Sequence, residues 1–294
     1  MKLLILGQNG QLGRELLRVL KPMHEISKVD YNTFFSQNLE YCLDLVTNLM
    51  PEIIINTAAW TNVDSAETNE KEAFNINAYW PENLAIVCRK VGIPYFHIST
   101  DYVFSGNTTV PWETYSEKKP LNVYGRSKSE GEDRVMNIYP ENSFIFRTAW
   151  LYSKHRKNFV KTILKKAKSD NAEIKVVSDQ FGQPTYAGDL ASQISKVIDL
   201  QIQPGIYHAT NSGVSSWYQF AEEIFTMTGQ QVNRLTPVVS DELIRPAIRP
   251  TYSVLSQSCW NNLPIAPLRD WKHALKSCIK EIESQVDSEL LSEV

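Results

Sequence analysis

Short apolar runs alternate with longer amphipathic stretches through the first half of the chain, and this alternation constrains the fold most. Each run is one strand long and apolar on both faces, so it needs helices on both sides. The pattern therefore predicts an α/β fold, a doubly wound parallel sheet (Rossmann-like) with right-handed crossovers. The predicted strands are 2–6, 25–29, 53–55, 95–99 and 143–147, and the predicted helices are 11–20, 39–48, 70–91 (broken at Pro81) and 128–139.

The second half of the chain is less regular. It predicts helices at 159–168, 190–200 and 218–228, a strand at 174–177, and a last helix from Asp270 that frays over 287–294. We expect a dinucleotide-binding domain over 1–149, to which 170–200 returns, and a smaller α/β substrate-binding lobe over most of 150–294. The lobe should pack at the carboxyl ends of the strands, where open α/β sheets bind ligands.

Charge and hydropathy exclude several classes of protein. The 294 residues carry a net charge of −3, with Lys and Arg scattered among Asp and Glu, so no broad nucleic-acid surface is expected. No segment reaches the roughly 20 apolar residues of a membrane span, and the amino terminus lacks a signal-peptide pattern. We expect a cytoplasmic protein without membrane contact, whose well-separated cysteines are reduced and mostly buried: Cys42, Cys88, Cys259 and Cys278.

A glycine-rich run follows the first predicted strand and opens the first predicted helix. Its glycines are Gly7, Gly10 and Gly13, spaced G-x-x-G-x-x-G, with Asn9, Gln11 and Leu12 between them. Glycine lets the backbone turn tightly and approach a diphosphate, whose charge then lies at the helix amino terminus. The run predicts a dinucleotide site, and the alternative is a glycine-rich turn without a ligand.

The choice between NADH and NADPH stays open. Asp30 ends the second predicted strand, where an acidic residue can bind the adenosine ribose hydroxyls and repel a 2′-phosphate. That position favours NADH, but the neighbouring Lys28 opposes it, and an exposed aspartate in a turn is the simpler interpretation.

Three residues predict carbonyl chemistry. Tyr124 and Lys128 are four residues apart, so both side chains lie on one helical face. A nearby ammonium stabilises a phenolate and brings tyrosine closer to general acid–base catalysis at neutral pH, and the same lysine can hold the nicotinamide ribose. Thr100, at the carboxyl end of the fourth strand, can donate a hydrogen bond to a substrate carbonyl. The pair alone recurs by chance on helices, but its order after Thr100 and the glycine loop is more specific.

Longer segments carry a family resemblance over nearly the whole length. They are GQNGQLG at 7–13, NTAA at 56–59, TNVD at 61–64 with AE at 66–67, STDYVF at 99–104, PLNVYG at 120–125, RTAWLY at 147–152, NF at 158–159, DQFGQPT at 179–185, and RP at 249–250 with Ser253 and Leu255. On these segments the chain resembles the extended short-chain dehydrogenase/reductases, and within them the dTDP-4-dehydrorhamnose reductases. The resemblance implies NADPH- or NADH-dependent reduction of the C4 keto group of dTDP-4-dehydro-L-rhamnose, a nucleotide sugar.

The resemblance also implies residue roles. Tyr124 would protonate the C4 oxygen, Lys128 would lower the pKa of Tyr124, and Thr100 would polarise the carbonyl. Tyr102 and Trp150 would shape the sugar pocket, while Asn158 and Arg249 would meet the nucleotide–diphosphate end. The cofactor would contact the glycine loop together with Asp30, Asn38, Ala58, Ala59, Asn77, Tyr124 and Lys128.

Several alternatives stay open. Trp150 could be a core tryptophan and Arg249 a surface arginine. Glu15 matches an acidic position that serves a magnesium-linked dimer contact in some relatives, but its partner carboxylates are not placed beyond a nearby Asp189, so no metal is assigned and a homodimer is only an option. Other functions would be an epimerase, a reductase giving another deoxysugar, or a non-catalytic regulatory subunit of the same fold.

Overall fold

The computed structural model describes residues 1–27, 29, 39–169 and 172–292. Two predicted cofactor residues, Asp30 and Asn38, lie outside these ranges. The helices are α1 (Gln11–Leu20), α2 (Leu39–Leu49), α3 (Val63–Ala66), α4 (Glu70–Phe74), α5 (Trp80–Val91), α6 (Val123–Ile138), α7 (Phe159–Ser169), α8 (Ala187–Leu200), α9 (Trp217–Met227) and α10 (Trp271–Ser292). The strands are β1 (Lys2–Leu6), β2 (Glu25–Ser27), β3 (Ile53–Asn56), β4 (Tyr95–Thr100), β5 (Ser143–Thr148), β6 (Leu151–Tyr152), β7 (Ile174–Val177), β8 (Phe181–Gly182), β9 (Thr185–Tyr186), β10 (Gly205–His208), β11 (Ser215–Ser216) and β12 (Leu235–Val238).

Six strands form one parallel sheet in the order β10-β5-β4-β3-β1-β2, which confirms the doubly wound prediction. Side chains of β1 alternate between its faces, as strand geometry requires. Leu3 and Ile5 pack on one face of the sheet against α1 and α8, whereas Leu4 and Leu6 pack on the other face against α2, α5 and α6. Helices therefore cover both faces, and the carboxyl ends of the strands are left to form a site.

The break predicted in helix 70–91 takes a specific form. A π-helical turn, Asn75–Tyr79, separates α4 from α5, and Pro81 lies in the first turn of α5. The backbone is helical on both sides of Pro81, and the π-helical turn before it changes the hydrogen-bond pattern where a residue without an N–H follows. The break therefore precedes Pro81.

Helix α6 begins five residues earlier than the predicted 128. The Asn122 side chain caps it by accepting a hydrogen bond from the Gly125 amide (2.7 Å). As a result Tyr124 and Lys128 both lie inside α6, one turn apart.

The remaining elements form a second hydrophobic core, built by β7, β12, α7, α9 and α10. Strand β7 pairs in parallel with β12 and not with the large sheet. By contrast, α8 packs on α1 through Leu190 and Ile194, and β10 extends the large sheet beside β5. The second half of the chain thus contributes to both cores.

The predicted fraying of 287–294 is wrong for the described part of that segment. Helix α10 continues to Ser292, and Val286 is buried in the second core. Lys168 pairs with Asp287 (2.5 Å), and Lys161 and Lys165 both pair with Glu289. These ion pairs with α7 hold a charged segment that looked unsupported in the sequence.

Two expectations drawn from composition can be compared with the described residues. None of the helices described here has the length and apolar content needed to cross a membrane. All four cysteines are free thiols, three of them buried and Cys259 partly so, as predicted.

Candidate active site

The glycine loop lies between β1 and α1, against the start of the segment after β3. Gly7 has a φ of +80°, and a Cβ there would lie 2.6 Å from Thr57 Oγ1 and 2.7 Å from the Ala58 nitrogen. A Cβ on Gly13 would lie 2.2 Å from the Gly7 carbonyl oxygen. Both positions therefore require glycine, and the close approach places Ala58 beside the loop.

The loop leaves the amino end of α1 without a side-chain cap. Gly10 is the N-cap, its own amide donates to the Gly7 carbonyl (2.9 Å), and no side chain accepts from the first turn. Uncapped N–H groups and the helix dipole form a ready site for phosphate oxygens. The chain thus fits the diphosphate of a dinucleotide here.

Asn158 lies next to this loop. Its amide Nδ2 donates to Gln11 Oε1 (2.9 Å) and to the Ser153 carbonyl (2.8 Å). Gln11 Nε2 in turn donates to the Leu151 carbonyl (3.2 Å). The structure therefore places Asn158 beside Gln11, a predicted cofactor residue, whereas Arg249 bonds Asp64.

Asn77 is buried in the π-helical turn and its amide is occupied within the protein. Oδ1 accepts from the Trp60 amide (2.9 Å), and Nδ2 donates to Ser127 Oγ (3.0 Å) and to the Trp60 carbonyl (3.0 Å). These bonds join α6 to the segment after β3, so Asn77 holds two parts of the site together through contacts within the protein.

Thr100 and Tyr124 meet at the carboxyl end of β4. Thr100 is the last residue of β4, and a turn at Asp101–Val103 follows it. A Cβ on Gly125 would lie 2.3 Å from the Tyr102 carbonyl oxygen, so α6 packs closely on that turn. The Tyr102 and Tyr124 rings meet edge to face, with centroids 5.8 Å apart. The side chains of Thr100, Tyr102 and Tyr124, all predicted site residues, thus lie together at this end of the strand.

Burial is the largest influence on the electrostatics of Tyr124. It raises the pKa of Tyr124 to about 12, and a hydrogen bond with the Thr100 hydroxyl opposes that rise. The Lys128 ammonium, which is predicted to lower this pKa, bonds the Ile98 carbonyl and lies beside His97. A high pKa keeps the phenol protonated, which suits a general acid.

The ammonium of Lys128 is buried under β4. Nζ donates to the Ile98 carbonyl (2.6 Å) and lies 3.2 Å from His97 Nε2. Burial lowers the pKa of Lys128 to about 8, and the charge of Glu132 one helical turn further on opposes this. Lys128 is therefore a cation whose proton is lost near physiological pH.

Asp101 is an unpredicted member of the site. Its Oδ1 accepts a hydrogen bond from the Thr100 hydroxyl (3.0 Å). Burial raises the pKa of Asp101 to about 6, against hydrogen bonds from Ser253 and Thr100 that lower it. The carboxyl group therefore competes with any substrate for the single hydroxyl hydrogen of Thr100.

Two arginines lie near the site, in the segment between β12 and residue 251: Arg245 and Arg249. Arg249 donates to Asp64 Oδ2 (2.8 Å), and this bond lowers the pKa of Asp64. The charges of Arg249 and Arg245 both act on Tyr102 and lower its pKa, against a larger rise caused by burial. The carboxylates of Asp64 and Asp101 lie near these two guanidinium groups, whose permanent charge and forked donors suit a phosphate.

Trp150 follows β5 and stacks on Trp217, the first residue of α9, with centroids 3.5 Å apart and planes 9° apart. Its backbone φ is +45°, uncommon for a large residue. Thr148, two residues earlier, pairs in register with Thr100. A Cβ on Gly182 would lie 2.6 Å from the Trp150 ring. The half-buried indole is therefore held in place between Trp217 and Gly182, two residues after the strand partner of Thr100.

Glu15 is committed to partners within the chain. The buried carboxylate accepts from Arg18 Nε (2.7 Å), and His155 Nε2 lies 3.6 Å from it. No group of three potential metal ligands occurs among the described residues. The structure gives the weak magnesium candidate no support, and Asp189 forms a two-bond ion pair with Arg269 instead.

Sequence reasoning missed four residues of the site: His97, Asp101, Trp217 and Arg245. Asp101 lies inside the STDYVF segment and His97 lies two residues before it, so the segment itself was a signal. Nothing in the sequence connects Trp217 with Trp150, or Arg245 with Tyr102, because their contacts join distant parts of the chain.

The chain is similar over most of its length to a protein family and to several solved structures. A family model described as the RmlD substrate binding domain matches residues 1–284. A Streptomyces griseus protein named dTDP-4-dehydrorhamnose reductase is 37% identical over 277 residues, covering 92% of this chain and 91% of its own. A crystal structure of a dTDP-4-dehydrorhamnose reductase from Clostridium acetobutylicum has a TM-score of 0.91 at 41% identity, covering 96% of this chain and 100% of that one. Another from Bacillus anthracis, in complex with NADP, has a TM-score of 0.90 at 37% identity, covering 95% and 99% of the two chains.

Proposed function

The chain belongs to the RmlD substrate binding domain family, and from this premise we propose that it reduces the C4 keto group of dTDP-4-dehydro-L-rhamnose to give dTDP-L-rhamnose. The observation that carries the proposal is the assembly of Thr100, Tyr102 and Tyr124 at the carboxyl end of β4, beside a glycine loop built for a diphosphate. A dinucleotide site and a carbonyl-polarising site at one sheet edge are the two parts that a carbonyl reductase needs.

Tyr124 can transfer a proton because its phenol is protonated at neutral pH. A reduced nicotinamide, when bound, supplies the hydride that adds to the C4 carbon. Tyr124 gives its phenolic proton to the C4 oxygen as negative charge develops there, and the Thr100 hydroxyl donates a hydrogen bond to the same oxygen. The buried phenol, with its pKa raised to about 12, is protonated at neutral pH and ready to act as the acid.

The Lys128 ammonium lies one helical turn beyond Tyr124 and carries positive charge below its pKa of about 8. This charge favours the phenolate that remains after Tyr124 has given up its proton. We assign Lys128 this electrostatic role in the reaction step and contact with the cofactor ribose in the bound state.

For the cofactor we propose contacts from the glycine loop (Gly7, Asn9, Gly10, Gln11, Leu12 and Gly13), Ala58 and Ala59, with Asn158 supporting the loop through Gln11. The B. anthracis relative was solved with NADP, so NADPH is the first cofactor to test here and NADH the second. The division into a cofactor domain over 1–149 and a lobe over most of 150–294 fits this assignment, with α8 and β10 as second-half elements packed in the first core.

For the substrate we propose that Arg249, aided by Arg245, meets the diphosphate, and that the Trp150–Trp217 stack borders the deoxysugar. A 6-deoxy sugar has an apolar ring face and a methyl group, which pack well on an indole. The guanidinium fork of Arg249 has a permanent charge and matches phosphate oxygens.

The test follows the absorbance of NADPH and NADH with dTDP-4-dehydro-L-rhamnose, comparing the native chain with Tyr124→Phe. Cofactor oxidation that the substitution abolishes, with cofactor binding retained, supports the reductase and its acid together. Cofactor binding without turnover of this substrate would contradict the proposal. Assay of other dTDP-4-keto sugars would then separate a different reductase from a regulatory subunit.

A further inference from the structure

We propose that His97 is a positioning residue for Lys128: it holds one N–H of the buried ammonium, aims the remaining one towards the reaction site, and keeps the lysine charged. The effect of His97 on catalysis rests on the proposed reductase function, whereas its contact with the Lys128 ammonium does not. His97 is fully buried in β4 and would otherwise be an unexplained polar side chain in the core of a parallel sheet.

The tautomer of His97 follows from its neighbours. An ammonium can only donate, so His97 Nε2, 3.2 Å from Lys128 Nζ, must be the accepting nitrogen. A neutral imidazole then carries its hydrogen on Nδ1, which lies 3.4 Å from the Tyr95 hydroxyl. The Tyr95 oxygen can accept that hydrogen, so the network is satisfiable in one tautomer.

Asn56 fixes the other side of the imidazole. The Ala58 amide donates to Asn56 Oδ1 (3.1 Å), which turns Nδ2 towards Tyr95 Oη (3.2 Å) and His97 Nδ1 (3.4 Å). Because Nδ2 can only donate, it cannot accept from Nδ1, and Tyr95 is left as the acceptor. A buried chain of polar groups therefore runs from the loop beside Gly7 to Lys128.

This arrangement determines which acceptors the three ammonium hydrogens of Lys128 bond. The Ile98 carbonyl takes one at 2.6 Å and His97 takes a second. Within the described part of the chain these are the two acceptors of Nζ, so one N–H is left for a ligand or for Tyr124. Because the ammonium group is tetrahedral, two N–H groups bonded to fixed acceptors determine the direction of the third.

Charge around Lys128 comes from several elements. Strand β4 contributes Tyr95 and His97 and is followed by Asp101, while α6 itself contributes Tyr124 and Glu132. Glu132 is held by Arg147 from β5 (2.7 Å) and by Lys118 (3.4 Å). On the outer side of α6, Arg126 and Arg134 pair with Glu70 of α4 and Glu82 of α5. Among the described residues only His97 and the Ile98 carbonyl bond the ammonium, so the loss of one acceptor should change the pKa of Lys128.

The sign of the effect follows from desolvation. Burial lowers the pKa of Lys128 to about 8, since the charged form loses water. Burial and the Lys128 charge also hold the pKa of His97 well below its ordinary value, so His97 stays neutral and able to accept. Removing that acceptor destabilises the ammonium further and lowers the lysine pKa.

The first test compares the pH dependence of kcat/KM in the native enzyme, His97→Leu and His97→Gln. The Gln Oε1 can take the place of Nε2 as an acceptor, whereas Leu fills similar space and cannot accept. We expect the alkaline limb of the native profile to follow Lys128 near pH 8. The limb should move down by about one pH unit in His97→Leu and stay in place in His97→Gln. An unmoved limb in a folded, active His97→Leu overturns the proposal and leaves the reductase function intact.

The second test needs no turnover. The ligand-free chain is labelled with ¹³Cε-lysine and titrated by NMR, with the Lys128 resonance assigned from Lys128→Met. A lower titration midpoint in His97→Leu than in the native chain, restored in His97→Gln, supports the positioning role. Equal midpoints overturn it, even if the chain proves to lack reductase activity. If His97→Leu does not fold, the comparison of His97→Gln with His97→Asn, whose shorter amide cannot reach Nζ, replaces it.

Discussion

The Thr100 hydroxyl donates a hydrogen bond to the Asp101 carboxylate across 3.0 Å, and its oxygen accepts the Tyr102 amide at 3.2 Å. Thr100 has one hydroxyl hydrogen, so it cannot serve Asp101 and a substrate carbonyl at once. The buried aspartate therefore holds the hydroxyl in place until a substrate oxygen competes for the hydrogen. This relationship makes Asp101 a testable part of the site.

Asp101 should also affect stability in a pH-dependent way. Burial raises its pKa from 3.8 to about 6 in the folded protein. The folded state then binds this proton more tightly than the unfolded state, so ionisation destabilises the fold as pH rises between these two values. At about 1.4 kcal/mol per pH unit, the loss is on the order of 2–3 kcal/mol. Asp101→Asn should abolish it, and urea unfolding at a series of pH values measures the difference. Parallel pH curves for the two proteins would refute this.

Thr100→Val should leave cofactor affinity unchanged and lower kcat/KM by about 10²–10³, the usual cost of one donor to a developing oxyanion. Tyr124→Phe should lower it by about 10²–10⁴, the range for loss of a general acid. Steady-state kinetics with cofactor binding by fluorescence checks both. A loss of cofactor affinity as large as the loss of kcat/KM would instead indicate that the substitution damages the fold.

Gly13→Ala should abolish cofactor binding, because its Cβ would lie 2.2 Å from the Gly7 carbonyl oxygen and the backbone must shift. We expect destabilisation of roughly 1–3 kcal/mol from the clash. Gly92→Ala is the matched control: its φ is +75° with nothing within 4 Å. It should cost about 1–2 kcal/mol through backbone strain and leave cofactor affinity unchanged. Calorimetric titration with NADPH distinguishes the two variants.

Arg249→Ala should raise KM for the dTDP-sugar about tenfold or more, because a charged hydrogen bond is worth roughly 1.5–3 kcal/mol. The Kd of the cofactor should not change. Arg126→Ala is the control, since that arginine forms an exposed pair with Glu70 on the outer side of α6, and such pairs contribute about 0–1 kcal/mol. Similar KM values for Arg249→Ala and the native enzyme would remove Arg249 from the diphosphate site.

Trp217→Leu should raise KM for the sugar nucleotide by roughly 3–10-fold, because an aromatic stack contributes about 0.5–1.5 kcal/mol and here holds Trp150 in place. The cofactor Kd serves as the internal control. A lower free energy of unfolding with an unchanged KM would show that the stack is only structural.

The features that could be predicted from the sequence are those that depend on local spacing. Alternating apolar runs define a parallel sheet because strand and helix periods are short-range properties. The G-x-x-G-x-x-G run identified a turn where no Cβ fits, and the four-residue spacing placed Tyr124 and Lys128 on one face of α6. Each of these requires only neighbours along the chain.

The features that could not be predicted from the sequence depend on contacts between distant residues. Lys128 contacts His97, 31 positions away, and its spacing from Tyr124 gives no indication of that contact. Asn158 lies on the glycine loop, 147 residues from Gln11. Arg249 reaches Asp64 across 185 residues. Burial and charge at a site are sums over neighbours brought in by packing, and local spacing carries no information about which neighbours those will be.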